Sequence, residues 1–140
     1  MSLLSSLIKS QEVVSVSPQT TVEEAAITMT AKKIGSVVVM DGGKLAGIFT
    51  ERDLLNRVIG RGLEPKKTSV SQVMSKEVCT ISLDDTVENA FELMEKTKCR
   101  RLPIIQSGRV VGMVTMRNIL EWLVAEMESE NVQLKRYIQS

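Results

Sequence analysis

The strongest constraint on the fold is internal: a segment of 46 residues recurs 65 positions further along the chain. Residues 13–58 align with residues 78–123 without a gap, and 13 of the 46 pairs are identical. Most other pairs keep their polarity, as Val16 and Ile81 do. The chain therefore contains one structural unit twice. Because a unit this small buries only about 60% of its unfolded surface alone, we expect the two units to pack together.

The apolar pattern predicts the order β-α-β-β-α in each unit. The β-branched run at 36–40 is typical of a buried strand, and the residues Asp41-Gly42-Gly43 after it predict a tight hairpin. Apolar residues at helical spacing from residue 22 predict a helix with Thr20 or Thr21 as its N-cap. The predicted strands are 13–16, 36–40, 45–49, 78–81, 102–105 and 110–114, and further helices are predicted at 50–58, 86–97 and from 115.

The segments outside the repeats are also informative. Residues 60–69 predict a linker, and residues 71–74 predict a short turn or helix that enters the second unit. Pro103 lies inside a predicted strand, so we expect its missing N–H to face an edge or a ligand. Apolar residues at helical spacing as far as residue 138 extend the last helix. This extension either folds onto its own module or crosses to a second chain, and we favour the crossing.

The residue types exclude several kinds of chemistry. The chain has no histidine, and Cys79 and Cys99 lack Cys-x-x-Cys spacing, so we expect no zinc site. Without histidine there is no Ser-His-Asp set, and no phosphate-binding Gly-x-x-x-x-Gly-Lys loop occurs. We therefore expect no catalysis and no required cofactor.

Charge and hydropathy argue against two classes of partner, nucleic acids and membranes. With 18 basic and 17 acidic residues the net charge is +1, which argues against nucleic-acid binding. No apolar run approaches the roughly 20 residues that span a bilayer, and the N-terminus lacks the pattern of a signal peptide. We expect a cytoplasmic protein without membrane contact.

Two duplicated motifs resemble the cystathionine-β-synthase (CBS) domain family. A Gly-h-h-Thr-x-x-Asp signature follows the first hairpin at residues 47–53, and its second copy at 112–118 ends in Asn118. Residues 70–75 resemble the segment that leads into a CBS repeat, and residues 102–105 resemble the family's second strand. The resemblance covers roughly residues 6–125, and its strength lies in the duplication of weak motifs in the same order.

This resemblance implies an α+β fold in which two β-α-β-β-α repeats form one pseudo-twofold module with two clefts. The domains would be residues 6–62 and 71–127, with a linker at 63–70 and a helical extension at 128–140. In the family, the clefts commonly bind adenosine-containing ligands such as AMP, ADP, ATP and S-adenosylmethionine. Two modules often pair, so we expect a homodimer.

The resemblance also assigns residues to each cleft. In the first, Asp53 would accept hydrogen bonds from the ribose hydroxyls, and Thr50 would meet a phosphate at a helix start. The other residues expected in this cleft are Val78, Cys79 and Cys99 at the adenine, with Arg52, Arg100 and Arg101 at the phosphates. The second cleft would contain Thr115, Asn118, Val14, Ile34, Gly35 and Lys9.

Two alternatives remain open. Residues 50–53 also match a capping box, which would explain Thr50 and Asp53 without any ligand. Arg100 and Arg101 would also suit a solvated pair of charges. Since Asn118 lacks the charge and second acceptor oxygen of an aspartate, we expect tighter binding in the Asp53 cleft.

The leading hypothesis for function is a regulatory module that senses adenine nucleotides and controls a separate, unidentified protein. The alternative is an interaction or scaffolding module without a physiological small-molecule ligand.

Overall fold

The computed structural model describes residues 3–8 and 13–139, with side chains up to residue 130 and that of Ile138. Its fold is mixed helix and strand, as predicted. The elements are α1 (Leu4–Leu7), β1 (Ser15–Val16), α2 (Val22–Lys32), β2 (Ser36–Asp41), β3 (Lys44–Thr50), α3 (Glu51–Asp53), α4 (Val70–Val73), β4 (Ile81–Ser82), α5 (Val87–Thr97), β5 (Arg101–Gln106), β6 (Arg109–Thr115) and α6 (Met116–Gln139).

The two units have the same sheet, down to the register. Each sheet has three strands, in the order β1-β2-β3 or β4-β5-β6, with the first pair parallel and the second antiparallel. Ser36 pairs with Thr50, and Arg101 pairs with Thr115, 65 positions later in both strands. The register shift at Val39 recurs at Ile104. The predicted duplication is therefore confirmed in three dimensions.

Local sequence signals explain where the elements begin and turn. The Thr21 hydroxyl accepts the Glu24 N–H at the start of α2, and the Thr86 hydroxyl accepts the Asn89 N–H at the start of α5. The β2–β3 turn contains Gly42 and Gly43 at φ of 57° and 85°, a region that glycine adopts without steric cost. Each unit closes around its own apolar core.

The helical segment after β3 is less regular than predicted. Three residues of α3 continue into a π-helical turn at Leu54–Val58 and a 3-10 turn at Ile59–Arg61. Gly62, at φ 72°, ends the segment. The wide turn buries Val58 in the first core while it leaves Leu55 and Ile59 exposed.

The short helix predicted at residues 71–74 is present as α4, at Val70–Val73, but it contributes to the first core, which the sequence did not predict. Val70 and Val73, with Met74 directly after the helix, pack against that core. The Val70 N–H donates to the Thr20 carbonyl, 2.9 Å away. The segment after α4 then pairs with β3, where Ser75 and Ile48 exchange two backbone hydrogen bonds of 2.9 and 3.0 Å.

The N-terminal segment mirrors this arrangement in the other unit. Leu4 is fully buried in the second core, although it precedes the first unit in sequence. Its N–H donates to the Asp85 carbonyl, which is the counterpart of Thr20. We call residues 3–8 and residues 70–75 the leader segments, because each precedes one unit in sequence. Each core is therefore completed by the leader segment that precedes the other unit.

The residues that follow α4 pass very close to the backbone of β3 at Gly47. A Cβ at Gly47 would lie 2.7 Å from the Ser75 carbonyl oxygen and 2.8 Å from the Met74 sulfur. Only glycine leaves room for this contact, which accounts for the glycine that opens the signature motif.

The largest differences from the predicted elements lie at the strand ends. The first strand of each unit has only two paired residues, Ser15–Val16 and Ile81–Ser82, because the chain pairs with β2 or β5 over that length alone. The last helix extends over 24 residues. Among the described residues, no helix is both long and apolar enough to cross a membrane.

We expect Leu4→Ala to lower the free energy of unfolding by about 3 kcal/mol, because a buried leucine leaves a cavity when truncated. Leu3→Ala is the matched control, since Leu3 is 48% exposed and its loss should cost less than about 1 kcal/mol. Urea denaturation measures both values, and hydrogen exchange locates the loss. Protection should fall in β4–β6 more than in β1–β3, and equal effects of the two variants would contradict the exchanged leaders.

Candidate ligand-binding clefts

In both units, a reciprocal pair of hydrogen bonds caps the start of the helix that follows the hairpin. In the first, the Thr50 N–H donates to Asp53 Oδ2 at 3.0 Å, and the Asp53 N–H donates to Thr50 Oγ1 at 3.1 Å. Thr115 and Asn118 make the same two bonds at 3.0 and 3.1 Å. The predicted capping box is present, and each threonine hydroxyl accepts in it, which leaves its hydrogen to donate outward.

The Asp53 carboxylate is enclosed by its own unit. The residue is only 7% exposed. Besides the Thr50 N–H, its oxygens meet the Ser75 hydroxyl at 3.5 Å and Arg57 Nε at 3.7 Å. Arg57 also donates to the carbonyls of Val73 and Met74, at 3.2 Å each. Asp53 and its partner Arg57 therefore help to hold the leader segment at residues 70–75 in place. Asp53 does not line either cleft.

A compact cavity of about 230 Å³ lies between the two units on the Asn118 side. The first unit contributes an apolar wall that contains Val14, Ile34 and Gly35. The second unit contributes Thr115 and Asn118 at the start of α6, together with the β5 residue Arg101. All residues predicted for this cleft lie together here except Lys9, which falls outside the described residues.

A wider groove of about 1320 Å³ lies on the other side of the module. It brings together the residues predicted for the first cleft, apart from Asp53. These are Thr50 and Arg52 from the first unit, with Val78, Cys79, Cys99, Arg100 and Arg101 from the second.

Arg101 occupies a position shared by both clefts. Its Nη1 lies 3.5 Å from the Ser36 hydroxyl, the residue that holds the same place in the first unit. A Cβ on Gly35 would be 3.1 Å from Arg101 Nη2 and 3.1 Å from Glu51 Oε1. The guanidinium therefore crosses between the units, and the sequence analysis missed its partner Ser36. The signal was available, because Ser36 and Arg101 are a pair in the 65-residue alignment.

Pro103 changes the backbone pairing beside the wide groove. It lies in the central strand β5, not at an edge as one prediction had it. Its counterpart Val38 donates its N–H to the Val14 carbonyl at 3.2 Å. Proline has no N–H, so it cannot make the equivalent bond to Cys79 in the second unit. This backbone difference lies beside residues that line the groove.

The two cysteines are adjacent in space. The Cys99 thiol donates to Cys79 Sγ across 3.3 Å, and both residues are half-buried. The neighbouring Cys99 thiol, together with burial, raises the pKa of Cys79 above its ordinary value. Cys79 is therefore protonated at neutral pH.

Comparison with known proteins supplies a family for this geometry. The CBS domain model matches the chain twice, at residues 5–60 and 70–125. The CBS domain-containing protein YhcV of Bacillus subtilis is 34% identical over 120 residues, which cover 86% of this chain and 83% of that protein. The CBS-domain protein ATU1752 of Agrobacterium tumefaciens superposes with a TM-score of 0.78 at 36% identity, covering 86% of this chain and 98% of that one.

A further relative is longer than this chain. The uncharacterized protein MK0525 of Methanopyrus kandleri is 38% identical over 125 residues, which cover 86% of this chain but 64% of that protein. The likeness therefore concerns the paired units and leaves over a third of that relative unmatched.

We expect Asp53→Ala to lower the free energy of unfolding by about 1–2 kcal/mol, because it removes the acceptor for the Thr50 N–H. Asp53→Asn is the matched control: Asn118 already fills this capping role in the second unit, so most of the stability should be retained. Thermal and urea denaturation measure both variants. An Asp53→Ala protein as stable as the parent would rule out a capping role.

Proposed function

Because the chain belongs to the CBS-domain family as a tandem pair, we propose that it is a regulatory module that binds an adenosine-containing ligand between its units. The observation that carries this proposal is the compact cavity at Asn118, where an apolar wall from one unit faces polar groups of the other. Its volume of about 230 Å³ lies just below the usual range of small-molecule pockets, about 300–1000 Å³. It shares Arg101 and Thr115 with the wide groove, into which a longer ligand can extend.

The chemistry of the cavity suits the parts of such a ligand. Val14 and Ile34 offer apolar surface to a purine ring. Asn118 Oδ1 is engaged by the Thr115 N–H, while the amide –NH₂ remains a donor for a ribose oxygen. Arg101 offers a forked guanidinium to a phosphate or carboxylate.

We propose that the Asn118 cavity binds ligand more tightly than the Asp53 cleft, the reverse of the order expected from the sequence. The sequence favoured the Asp53 cleft because a carboxylate is the better ribose acceptor. In the folded chain that carboxylate is enclosed by Ser75 and Arg57, so a ribose would have to displace part of the linker contact. We therefore assign the first ligand to the Asn118 cavity.

A structural neighbour supports the choice of ligand class. The CBS domain pair of MJ0100 is described in complex with 5′-methylthioadenosine and S-adenosyl-L-methionine. At 23% identity and a TM-score of 0.77 it shares the fold with this chain. We extend from it only the adenosine moiety, which both of its ligands contain.

Regulation requires the ligand to favour one state of the module over another. Ser75, directly after α4, lines the wide groove and pairs with Ile48 of β3, so a ligand in this groove would act on a contact that joins the two units. We propose that the module controls the activity of another protein domain and has no catalytic role of its own.

A homodimer fits the exposed apolar residues. Leu55 and Leu120 occupy equivalent positions in the two units, as do Ile59 and Val124, and all four are at least 51% exposed. A surface that obeys the pseudo-twofold of the module suits a second module with the same symmetry. In α6, Leu123 and Met127 continue the apolar surface, which supports the crossing of this helix to a second chain.

Calorimetry with AMP, ADP, ATP and S-adenosylmethionine tests the ligand proposal. We expect at least one of them to bind, and Asn118→Ala to weaken that binding by about tenfold or more, the loss of about 1.4 kcal/mol. Asp53→Asn should leave the affinity within about twofold. Melting curves verify that each variant is folded. If all four ligands are silent, the scaffolding alternative replaces the sensor.

Light scattering tests the dimer. We expect the parent chain to have the mass of two copies, and Leu55→Glu combined with Leu120→Glu to have the mass of one, because buried unpaired carboxylates oppose association. Asn56→Glu is the matched control for Leu55→Glu, since each adds one carboxylate and Asn56 is an exposed neighbour of Leu55. Truncation after Ala125 tests the crossing helix, and an unchanged mass would count against it.

A further inference from the structure

The two cysteines are expected to lie beside the adenine in the wide groove, but contact with adenine does not require two thiols in contact with each other. Their sulfur atoms are 3.3 Å apart, closer than two sulfurs that merely pack together. A disulfide needs about 2.05 Å, so the gap is about 1.3 Å. Both side chains line the wide groove and both are free thiols.

Both cysteines lie in irregular backbone between named elements. Cys79 lies just before β4, and Cys99 lies between the end of α5 and the start of β5. The residue before Cys99 is Lys98, whose φ of 62° turns the chain sharply out of α5. Short, loop-like backbone on both sides lets the sulfurs approach without deforming a long helix or strand.

The first unit provides an internal comparison. The residues equivalent to Cys79 and Cys99 are Val14 and Ile34, which line the compact cavity. The same two positions are thus filled by aliphatic side chains in one cleft and by thiols in the other. Aliphatic residues already satisfy the packing at these positions, so packing alone does not account for sulfur.

We infer that Cys79 and Cys99 are a site of reversible oxidative modification, at which a peroxide converts the two thiols into a disulfide across the wall of the wide groove. In the first step one thiol sulfur attacks the peroxide, the O–O bond breaks, and a sulfenic acid and one water form. In the second step the other sulfur attacks the sulfenic sulfur. The S–S bond forms, the S–O bond breaks, and the oxygen leaves as a second water.

The charges around the pair set its pH dependence. The thiolate is the reactive form. The Cys99 thiol, burial and the nearby Glu77 carboxylate raise the pKa of Cys79, whereas Lys98 and Arg100 also line the groove and favour negative charge there. With the Cys79 pKa raised, little thiolate is present at neutral pH, so oxidation should become faster as the pH rises above 7.

Intact-mass analysis of the reduced, full-length protein tests this site with hydrogen peroxide as the oxidant. We expect a loss of two hydrogen atoms per chain, a fall from two titratable thiols to none, and return of both thiols on treatment with dithiothreitol. Non-reducing electrophoresis should show no chains cross-linked to each other.

The first unit supplies the matched control. Cys79→Val combined with Cys99→Ile reproduces residues that the fold already accepts at the equivalent positions, and this variant should keep its mass under peroxide. Single Cys79→Ser and Cys99→Ser variants should gain oxygen or cross-link between chains. The inference is overturned if the parent chain gains oxygen on both cysteines without losing hydrogen, or if its disulfides join separate chains. Since no ligand enters the measurement, the result is independent of the proposed sensor function.

Discussion

The exchange of leader segments is the contact on which the rest of the structure depends. Leu4 completes the second core, and Val70 and Val73 complete the first. In both places the leader donates a backbone N–H to the carbonyl at the same repeat position, Thr20 or Asp85. Neither unit has a complete core without a piece of chain that belongs, by sequence, to the other. Both clefts are lined by residues of the two units that this exchange joins.

The two units agree closely in their backbone features but differ in residues at their clefts. Strand registers, the bulges and the helix caps are the same in both units. Some of the pairs that differ line the clefts, namely Ser36 against Arg101 and Val14 against Cys79, and the capping boxes differ in Asp53 against Asn118. The hydrogen bonds of the capping box need only an acceptor three residues after a threonine, which both aspartate and asparagine provide. A scaffold with this tolerance can keep its fold while its two clefts acquire different chemistry.

Much of the fold could be predicted, because the 65-residue repeat and the hairpin signals are local properties of the sequence. Gly42 and Gly43 require positive φ wherever the turn lies, and Thr50 caps its helix through residues three positions away. The role of α4 could not be predicted in this way. Its apolar residues suit either core equally well, and only the close approach of Ser75 to Gly47 assigns them to the first.

The candidate site was predictable to the same extent. The residues that gather in each cleft follow from the resemblance and the pseudo-twofold arrangement. Of the predicted residues that the structure describes, all but Asp53 line the expected clefts. The enclosure of Asp53 depends on Arg57, which reaches 16 and 17 residues along the chain to the linker carbonyls. No periodicity or motif records a contact of that range.

The exchanged leader segments also impose an order on folding during synthesis. Domains generally fold as units while the ribosome extends the chain from its N-terminus. The first core can close once its own residues and α4 have emerged. Leu4 is made before either unit, but it must wait until Asp85 and the second sheet leave the ribosome. A segment that precedes both units is therefore among the last parts of the module to pack, and its apolar side chains stay exposed to chaperones until then.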